Sequence, residues 1–264
     1  MSTEPTTPDP ANNQIPDDAP DRVEGGQHGG GVVERALHRM SDRRNLVIWE
    51  GEPVEPGPAL AYAHDSGSLR SEKLRGLRTE LLMRLGSRRG AATFSVLGAD
   101  PSEGRSQLCA ELALAFAQLA GRTLLVDANM RNPRLDKLFT GARADAGLSE
   151  ILLGKTRTIP LHRVVGPQNL ALLTAGTTPP NPVDLLSGTL FKSLVADWSR
   201  TYNYVLIDTP PVSQYSDGIV VANAARNVLL VARGNQTSYA GVTELQRRLD
   251  ATQTQIIGAV LNDF

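Results

Sequence analysis

Cysteine is almost missing from this 264-residue chain. The single residue, Cys109, excludes an intramolecular disulfide framework and any cysteine-rich zinc site, so the composition fits a reducing compartment. The four histidines, at 28, 38, 64 and 162, lie far apart with no Cys or acid at metal spacing, which argues against a transition-metal centre. Charge of one sign is also missing: 27 Lys+Arg against 28 Asp+Glu leave a formal net charge of -1, with no overall pull toward nucleic acid or acidic lipid. Aromatics are 5% of the chain, and the basic pairs Arg43–Arg44 and Arg88–Arg89 lack the aromatic interleaving of a nucleic-acid surface. No apolar run approaches the roughly 18 residues that span a bilayer. The N-terminus lacks the basic and apolar regions of a signal peptide, and the expectation is a soluble, cytoplasmic protein.

Apolar residues make up 41% of the chain, ample for a packed core, and the length allows one large domain or two small ones. Residues 1–31 hold five prolines, five glycines, six acids and one base, so the segment has too little to bury and is expected to be disordered. Signals are mixed up to Ala63. Val32–Met40 reads as a short helix and Asn45–Trp49 as a short strand, and Pro53, Pro56 and Pro58 enforce extended chain. Residues 1–63 are therefore assigned to a disordered and linking region, and 64–264 to the folded domain.

Leu74, Leu77, Leu81 and Leu85 recur at helical spacing and predict a helix over about 69–86. Strand and helix patterns then alternate. Strands are predicted at Ala92–Leu97, Thr123–Asp127, Leu170–Leu173, Val205–Asp208, Val228–Ala232 and Ile256–Leu261. Helices are predicted at Ser106–Ala120, Leu148–Leu153, Val183–Ser199 (one broken or two short) and Val242–Ala251. Continuous apolar strands imply a sheet covered on both faces, hence an α/β fold with a mostly parallel β-sheet flanked by helices. In such sheets ligands bind at the carboxyl ends of the strands.

There, directly after the first of these strands, stands the loop Gly98-Ala99-Asp100-Pro101-Ser102-Glu103-Gly104-Arg105-Ser106. A strand, a turn-rich loop and a helix N-terminus can surround a phosphate with backbone N–H groups. Gly104 would let the backbone approach the oxygens, and Ser106 would offer a hydroxyl to Mg²⁺. The strict phosphate-loop pattern fails twice, with Ala99 at its first glycine and Arg105 at its lysine, so spacing alone equally allows an ordinary connection. Two further apolar strands end in a carboxylate, at Asp127 and Asp208. Two carboxylates, a hydroxyl and phosphate oxygens form the oxygen shell that Mg²⁺ prefers, although each Asp could simply cap a turn.

The loop, Leu124–Arg131 (LLVDANMR) and Val205–Pro211 (VLIDTPP) resemble the Walker A, A′ and B motifs of the bacterial tyrosine kinases of polysaccharide synthesis. These belong to the wider MinD/ParA-like class of deviant P-loop ATPases. Glu72, Arg75 and Arg78 resemble the family's ExxRxxR subunit-contact motif, and Gly176–Leu186 (GTTPPNPVDLL) its segment between A′ and B. The resemblance runs from about Ala63 to Phe264 and is closest to the stand-alone kinases encoded with exopolysaccharide chain-length determinants.

The resemblance implies a P-loop fold with ATP and Mg²⁺ as cofactors. The nucleotide-binding positions would be Ala99, Pro101, Ser102, Glu103, Gly104, Arg105 and Ser106, with Asn262 facing the adenine. Ser106, Asp127 and Asp208 would hold the metal, directly or through water. Asp127, Arg131, Asp208 and Arg105 would form the catalytic centre. It further implies a homo-oligomer, a membrane polysaccharide co-polymerase as partner, no nucleic acid, and a peripheral place at the inner face of the cell membrane through that partner.

Three departures matter. The family's DxD reads Asp127-Ala128-Asn129 here, and an amide cannot take a proton from a tyrosine hydroxyl. Arg105 replaces a compact ammonium with a longer planar fork. The usual C-terminal tyrosine cluster is absent, and the five tyrosines (62, 202, 204, 215 and 239) are scattered, with Tyr202, Tyr204 and Tyr215 read as packing residues. Three functions therefore compete: a tyrosine autokinase that regulates exopolysaccharide chain length, a catalytically weak nucleotide-binding regulatory module, and a MinD/ParA-like positioning ATPase. Against the third, Asp100–Ser102 lacks the early lysine of that class. Without the resemblance, Glu72, Arg75 and Arg78 read as a solvated helix face with one i,i+3 ion pair, Cys109 as a small buried residue and Trp198 as helix packing.

Overall fold

The computed structural model describes Met1 and residues 47–86, 92–167 and 169–263. The expected helix at Val32–Met40, the basic pairs and nearly all of the expected disordered tail lie outside the described residues. The chain enters through β1 (Val47–Pro56), α1 (Ala61–His64) and α2 (Leu69–Leu85). Next come β2 (Ala92–Gly98), α3 (Arg105–Phe116) and β3 (Thr123–Asp127). The short α4 (Leu135–Leu138) and β4 (Phe139–Thr140) lead to α5 (Leu148–Leu152), β5 (Thr158–Val164) and β6 (Leu170–Leu173). The remainder is α6 (Pro182–Ser187), α7 (Thr189–Thr201), β7 (Tyr204–Asp208), α8 (Asp217–Ala225), β8 (Asn227–Arg233), α9 (Tyr239–Asp250) and β9 (Gln255–Asn262).

The strands form one sheet in the order β4-β1-β5-β6-β3-β7-β2-β8-β9. From β6 to β9 every neighbour is parallel. Antiparallel pairing is confined to the other side, where β5 meets β6 and β4 meets β1. The mostly parallel α/β sheet expected from the sequence is thus the one observed.

The apolar strands divide their side chains between the two faces of the sheet, as the two-residue strand period requires. Leu125 of β3 and Leu206 of β7 point into the core beneath α2 and α3, with Phe94, Phe116 and Leu81. Leu124, Val126, Val205 and Ile207 point the other way, against Ile151, Leu186, Phe191 and Trp198. Each such leucine, fully removed from water, contributes roughly 1.5–3 kcal/mol. Cys109 is fully buried in the first core, and Trp198 meets Phe191 edge-on at 6.3 Å, so both are packing residues as expected.

The structure moves the expected start of the fold. The segment assigned to the linker up to residue 63 contributes β1, which pairs with β5, and α1, whose Tyr62 is buried. The sequence showed only the start of β1, as the short strand at Asn45–Trp49, and did not show β5, whose apolar run is interrupted by Pro160. In β1 the pairing register shifts between Gly51 and Val54, so Pro53 sits at an irregularity where no ladder donor is needed. Helix α8 also went unpredicted, because its apolar run follows the Pro210-Pro211 turn and carries Gly218 near its start. Helix α3 ends at Phe116, four residues before the expected Ala120. Among the described residues no helix is long and apolar enough to cross a membrane.

Candidate functional site

The loop after β2 ends at Gly104, whose φ of 82° is a left-handed conformation that a side chain would strain, and α3 starts on the next residue. Gly98 is the second obligatory glycine, because a Cβ there would run into the Glu103 carboxylate and the Arg105 guanidinium. Ser102, at φ 63°, holds a left-handed turn without being glycine. Three later segments fasten the loop. After β7, Val212 N donates to Gly98 O at 3.1 Å and Ser213 N to Ala99 O at 2.8 Å. Thr237 Oγ1 donates to Glu103 Oε1 at 2.6 Å, and Asn262 Nδ2 donates to Glu103 O at 2.8 Å. Asn262 therefore braces the loop from behind.

Arg105 lies along the inside of the loop, 8% exposed, donating to Asp100 O at 2.5 Å and pairing with the fully buried Glu103 at 2.9 Å. Burial pulls the guanidinium pKa down, opposed by the negative charges of Asp208, Glu103 and Asp100. Burial pushes the Glu103 carboxyl up, opposed by the Thr237 hydroxyl. The cation beside the loop is thus held by the loop's own acid and carbonyl.

Asp127 and Asp208 occupy matched register positions on the adjacent parallel strands β3 and β7, both fully buried. Asp127 accepts from the backbone N–H of Asn129 at 2.9 Å, Arg134 at 3.2 Å and Leu135 at 3.1 Å. It thereby holds the turn into α4. Both Asp208 oxygens are buried without a hydrogen bond of ordinary geometry. Burial raises the pKa of each carboxyl; for Asp127 the Asp208 charge adds to the rise and the three backbone donors oppose it. For Asp208 the Ser106 hydroxyl and Arg105 oppose the rise. Buried carboxylate oxygens without partners normally mark an ion or water site. The donors present are two carboxylates and the Ser106 hydroxyl, which suit Mg²⁺. Among the described residues no three His, Cys, Asp or Glu side chains cluster, so nucleotide and water oxygens would complete such a shell.

Above these groups opens a cleft of about 370 Å³, lined by residues 101–107 of the loop and helix, by Asn129, Asn132, Arg134, Lys137 and Leu138, and by Pro211, Gln214 and Tyr215. The structure therefore brings Pro101 to Ser106 to the cleft and sets the buried Ala99, Asp127 and Asp208 beneath it. Arg131 lies beside it, with Nε 3.0 Å from Asp217 Oδ1 and its guanidinium carbon 4.3 Å from the centre of the Tyr215 ring. Asn129 is committed to a local staple: its Nδ2 donates to Asn132 O at 2.8 Å and its Oδ1 accepts from Asn132 N at 3.2 Å. Sequence reasoning missed Arg134, Lys137, Gln214 and Tyr215. Two basic residues, three and six positions after the end of LLVDANMR, were the available signal for the first two. Gly176–Leu186 lies elsewhere, its start tied to Glu150 through Thr177.

The expected subunit-contact residues are occupied within the chain. Arg75 pairs with Glu72 at 2.5 Å and donates to Ser66 O, the i,i+3 pair of the plainer reading. Arg78 donates to Ala115 O at 2.7 Å, with its Nε buried and unpaired. Arg78 therefore joins α2 to the end of α3.

No protein-family model matches the chain. The tyrosine-protein kinase YwqD of Bacillus subtilis is 31% identical over 195 residues, covering 74% of this chain and 81% of that protein. The solved kinase domain of the Escherichia coli tyrosine kinase ETK superposes with a TM-score of 0.71 at 28% identity, over 77% of this chain and 79% of that one. The septum site-determining protein MinD of Pyrococcus horikoshii, at 16% identity and a TM-score of 0.53 over 64% of this chain, shares the fold alone. With the glycine-bounded loop after β2 beside two adjacent strand-end carboxylates, and relatives of this similarity over most of both lengths, the chain belongs to the bacterial tyrosine kinases, on the P-loop fold shared with MinD-like ATPases.

Proposed function

We propose that this chain binds Mg·ATP in the cleft above Asp127 and Asp208 and transfers the γ-phosphoryl group to tyrosine on its own kind, as an autokinase that helps set exopolysaccharide chain length. The observation that carries the reading is Asp208: two buried carboxylate oxygens without a hydrogen bond of ordinary geometry, beside a second carboxylate and near the Ser106 hydroxyl at the start of α3. Ser106, Asp127 and Asp208 would hold Mg²⁺, which when bound neutralises phosphate charge. The chain's own part is positioning. The loop N–H groups and the start of α3 bind phosphate, Arg105 supplies a cation held in place by Glu103, and Asn262, which would face the adenine, also fastens the loop through Glu103 O.

The same reading includes self-association through α2 and a membrane co-polymerase partner that brings the chain to the inner face of the membrane. Purified chain incubated with labelled ATP and Mg²⁺ should acquire phosphotyrosine, and co-purification from membranes should recover a partner with membrane-spanning helices. Nucleotide binding without phosphotyrosine, on this chain or on an added tyrosine copolymer, would leave the second reading, a nucleotide-operated regulatory module. Asn129 favours that second reading: it stands where the family has a carboxylate and is hydrogen-bonded to Asn132 through both ends of its amide.

A further inference from the structure

The kinase reading leaves open which hydroxyl receives the phosphate, and the five tyrosines differ sharply in their surroundings. Tyr62 is 3% exposed and its hydroxyl donates to Gln118 Oε1 at 2.6 Å. Tyr204, in β7, packs its ring 5.0 Å from that of Phe116. Tyr202 lies under Arg122 at the end of α7, with the guanidinium carbon 5.5 Å from the ring centre. Tyr239 is exposed, but it borders a different cavity beside β8 and β9. Tyr215 alone lines the cleft that contains the phosphate loop.

Its placement there is fixed from several sides. The Val212 and Ser213 amides tie its segment to Gly98 and Ala99, and Tyr215 N donates to Pro211 O at 3.1 Å. Arg131 covers one face of the ring at 4.3 Å and is itself held by Asp217, which is 1% exposed. A guanidinium over a tyrosine face contributes about 0.5–2 kcal/mol, enough to favour one ring position. The ring is half-buried, and among the described residues no hydrogen bond occupies its hydroxyl. An oriented ring with an uncommitted hydroxyl, in the cleft where the nucleotide phosphates would lie, is arranged as an acceptor.

We propose that Tyr215 is the tyrosine that accepts the γ-phosphoryl group from a nucleotide bound in the same chain. This rests on the kinase reading above. In the step, the bond from the γ-phosphorus to the β,γ-bridging oxygen breaks, and a bond to Tyr215 Oη forms. ADP takes the electron pair of the broken bond, and the phenolic proton leaves to water at the open side of the cleft. Arg131 is a positioning residue that holds the ring, and Asp217 positions Arg131.

The test uses the full chain with Mg²⁺ and labelled ATP, followed by mass-spectrometric mapping of every tyrosine-containing peptide. Phosphate is expected on the peptide carrying Tyr215, with a rate constant independent of protein concentration. Tyr215→Phe, which keeps the ring beneath Arg131, should lose that label, whereas Tyr239→Phe should not. A second readout needs no turnover: a non-hydrolysable ATP analogue with Mg²⁺ should shield Tyr215 from nitration. Label confined to Tyr62, Tyr202, Tyr204 or Tyr239, label only on an added tyrosine copolymer, or a rate that rises with protein concentration would overturn the assignment while the kinase reading stands. Unchanged nitration of Tyr215 under saturating analogue would also overturn it. Label on neither chain nor copolymer would overturn both.

Discussion

Asp127 and Asp208 stand side by side at matched positions on β3 and β7, but Asp127 is hydrogen-bonded to three backbone amides, whereas neither Asp208 oxygen has a hydrogen bond of ordinary geometry. One carboxylate shapes the turn and the other is free to take a ligand. The cost is burial, which raises both carboxyl pKa values, and at Asp127 the Asp208 charge adds to the rise.

Asp208→Asn should therefore separate stability from function. The folded-state pKa values lie above the ordinary carboxylate range, so stability without nucleotide falls as pH rises from that range through the raised values. The substitution removes one charge and should stabilise the nucleotide-free protein at neutral pH by about 0.5–2 kcal/mol. That gain should vanish as pH falls into the ordinary carboxylate range. Calorimetric titration should show Mg²⁺-dependent nucleotide affinity sharply reduced. Equal affinity in the variant would remove Asp208 from the site.

Arg105 and Glu103 form the second buried pair. Arg105→Ala leaves Glu103 without its cation and should cost about 3 kcal/mol of stability, whereas Arg105→Lys retains the charge and should lose less. Nucleotide affinity should fall in the same order. If thermal unfolding and calorimetry rank the two variants together, the buried pair is not what holds the cation beside the phosphates.

Asn129→Asp restores an acceptor where the family has a carboxylate and removes the Nδ2 donor to Asn132 O. The lost donor should lower stability by about 1 kcal/mol. The restored base should raise tyrosine phosphorylation, within the roughly 10²–10⁴-fold range of general-base assistance, without tightening nucleotide binding. A variant whose phosphorylation stays at background in the presence of a co-purified membrane partner would favour the regulatory module.

Glu72 is the clean probe of self-association. Its side chain is exposed and its partner within the chain is Arg75, an i,i+3 pair that contributes about 0.2–0.5 kcal/mol. Glu72→Arg should leave the melting temperature nearly unchanged and reduce the mass measured by light scattering. Arg78→Ala cannot serve this purpose, because it also removes the contact to Ala115 O and should lower stability. An oligomeric parent whose mass is unaffected by Glu72→Arg would refute the pairing.

Local pattern determined much of this protein. Three-residue apolar runs followed by Asp127 and Asp208 are strands in any reading, because buried parallel strands need no alternation. The spacing of Leu74, Leu77, Leu81 and Leu85 fixed α2, capped by Ser68, and the loop 98–106 announced itself by its turn residues between strand and helix. Only the tertiary structure decided the rest. β1 and β5 are strands because each supplies the other's ladder across a hundred residues, which outweighs their prolines. The difference between two aspartates of the same motif type is set by the backbone turn that follows one of them. Arg78 read as a subunit contact or as part of a solvated helix face until α3, placed beside it, made it an internal brace, and Tyr215 was a scattered aromatic until the β7–α8 turn brought it to the cleft with the loop 98–106. Local sequence encodes which segments can pair and bury; which side chains converge depends on the long-range packing that brings those segments together.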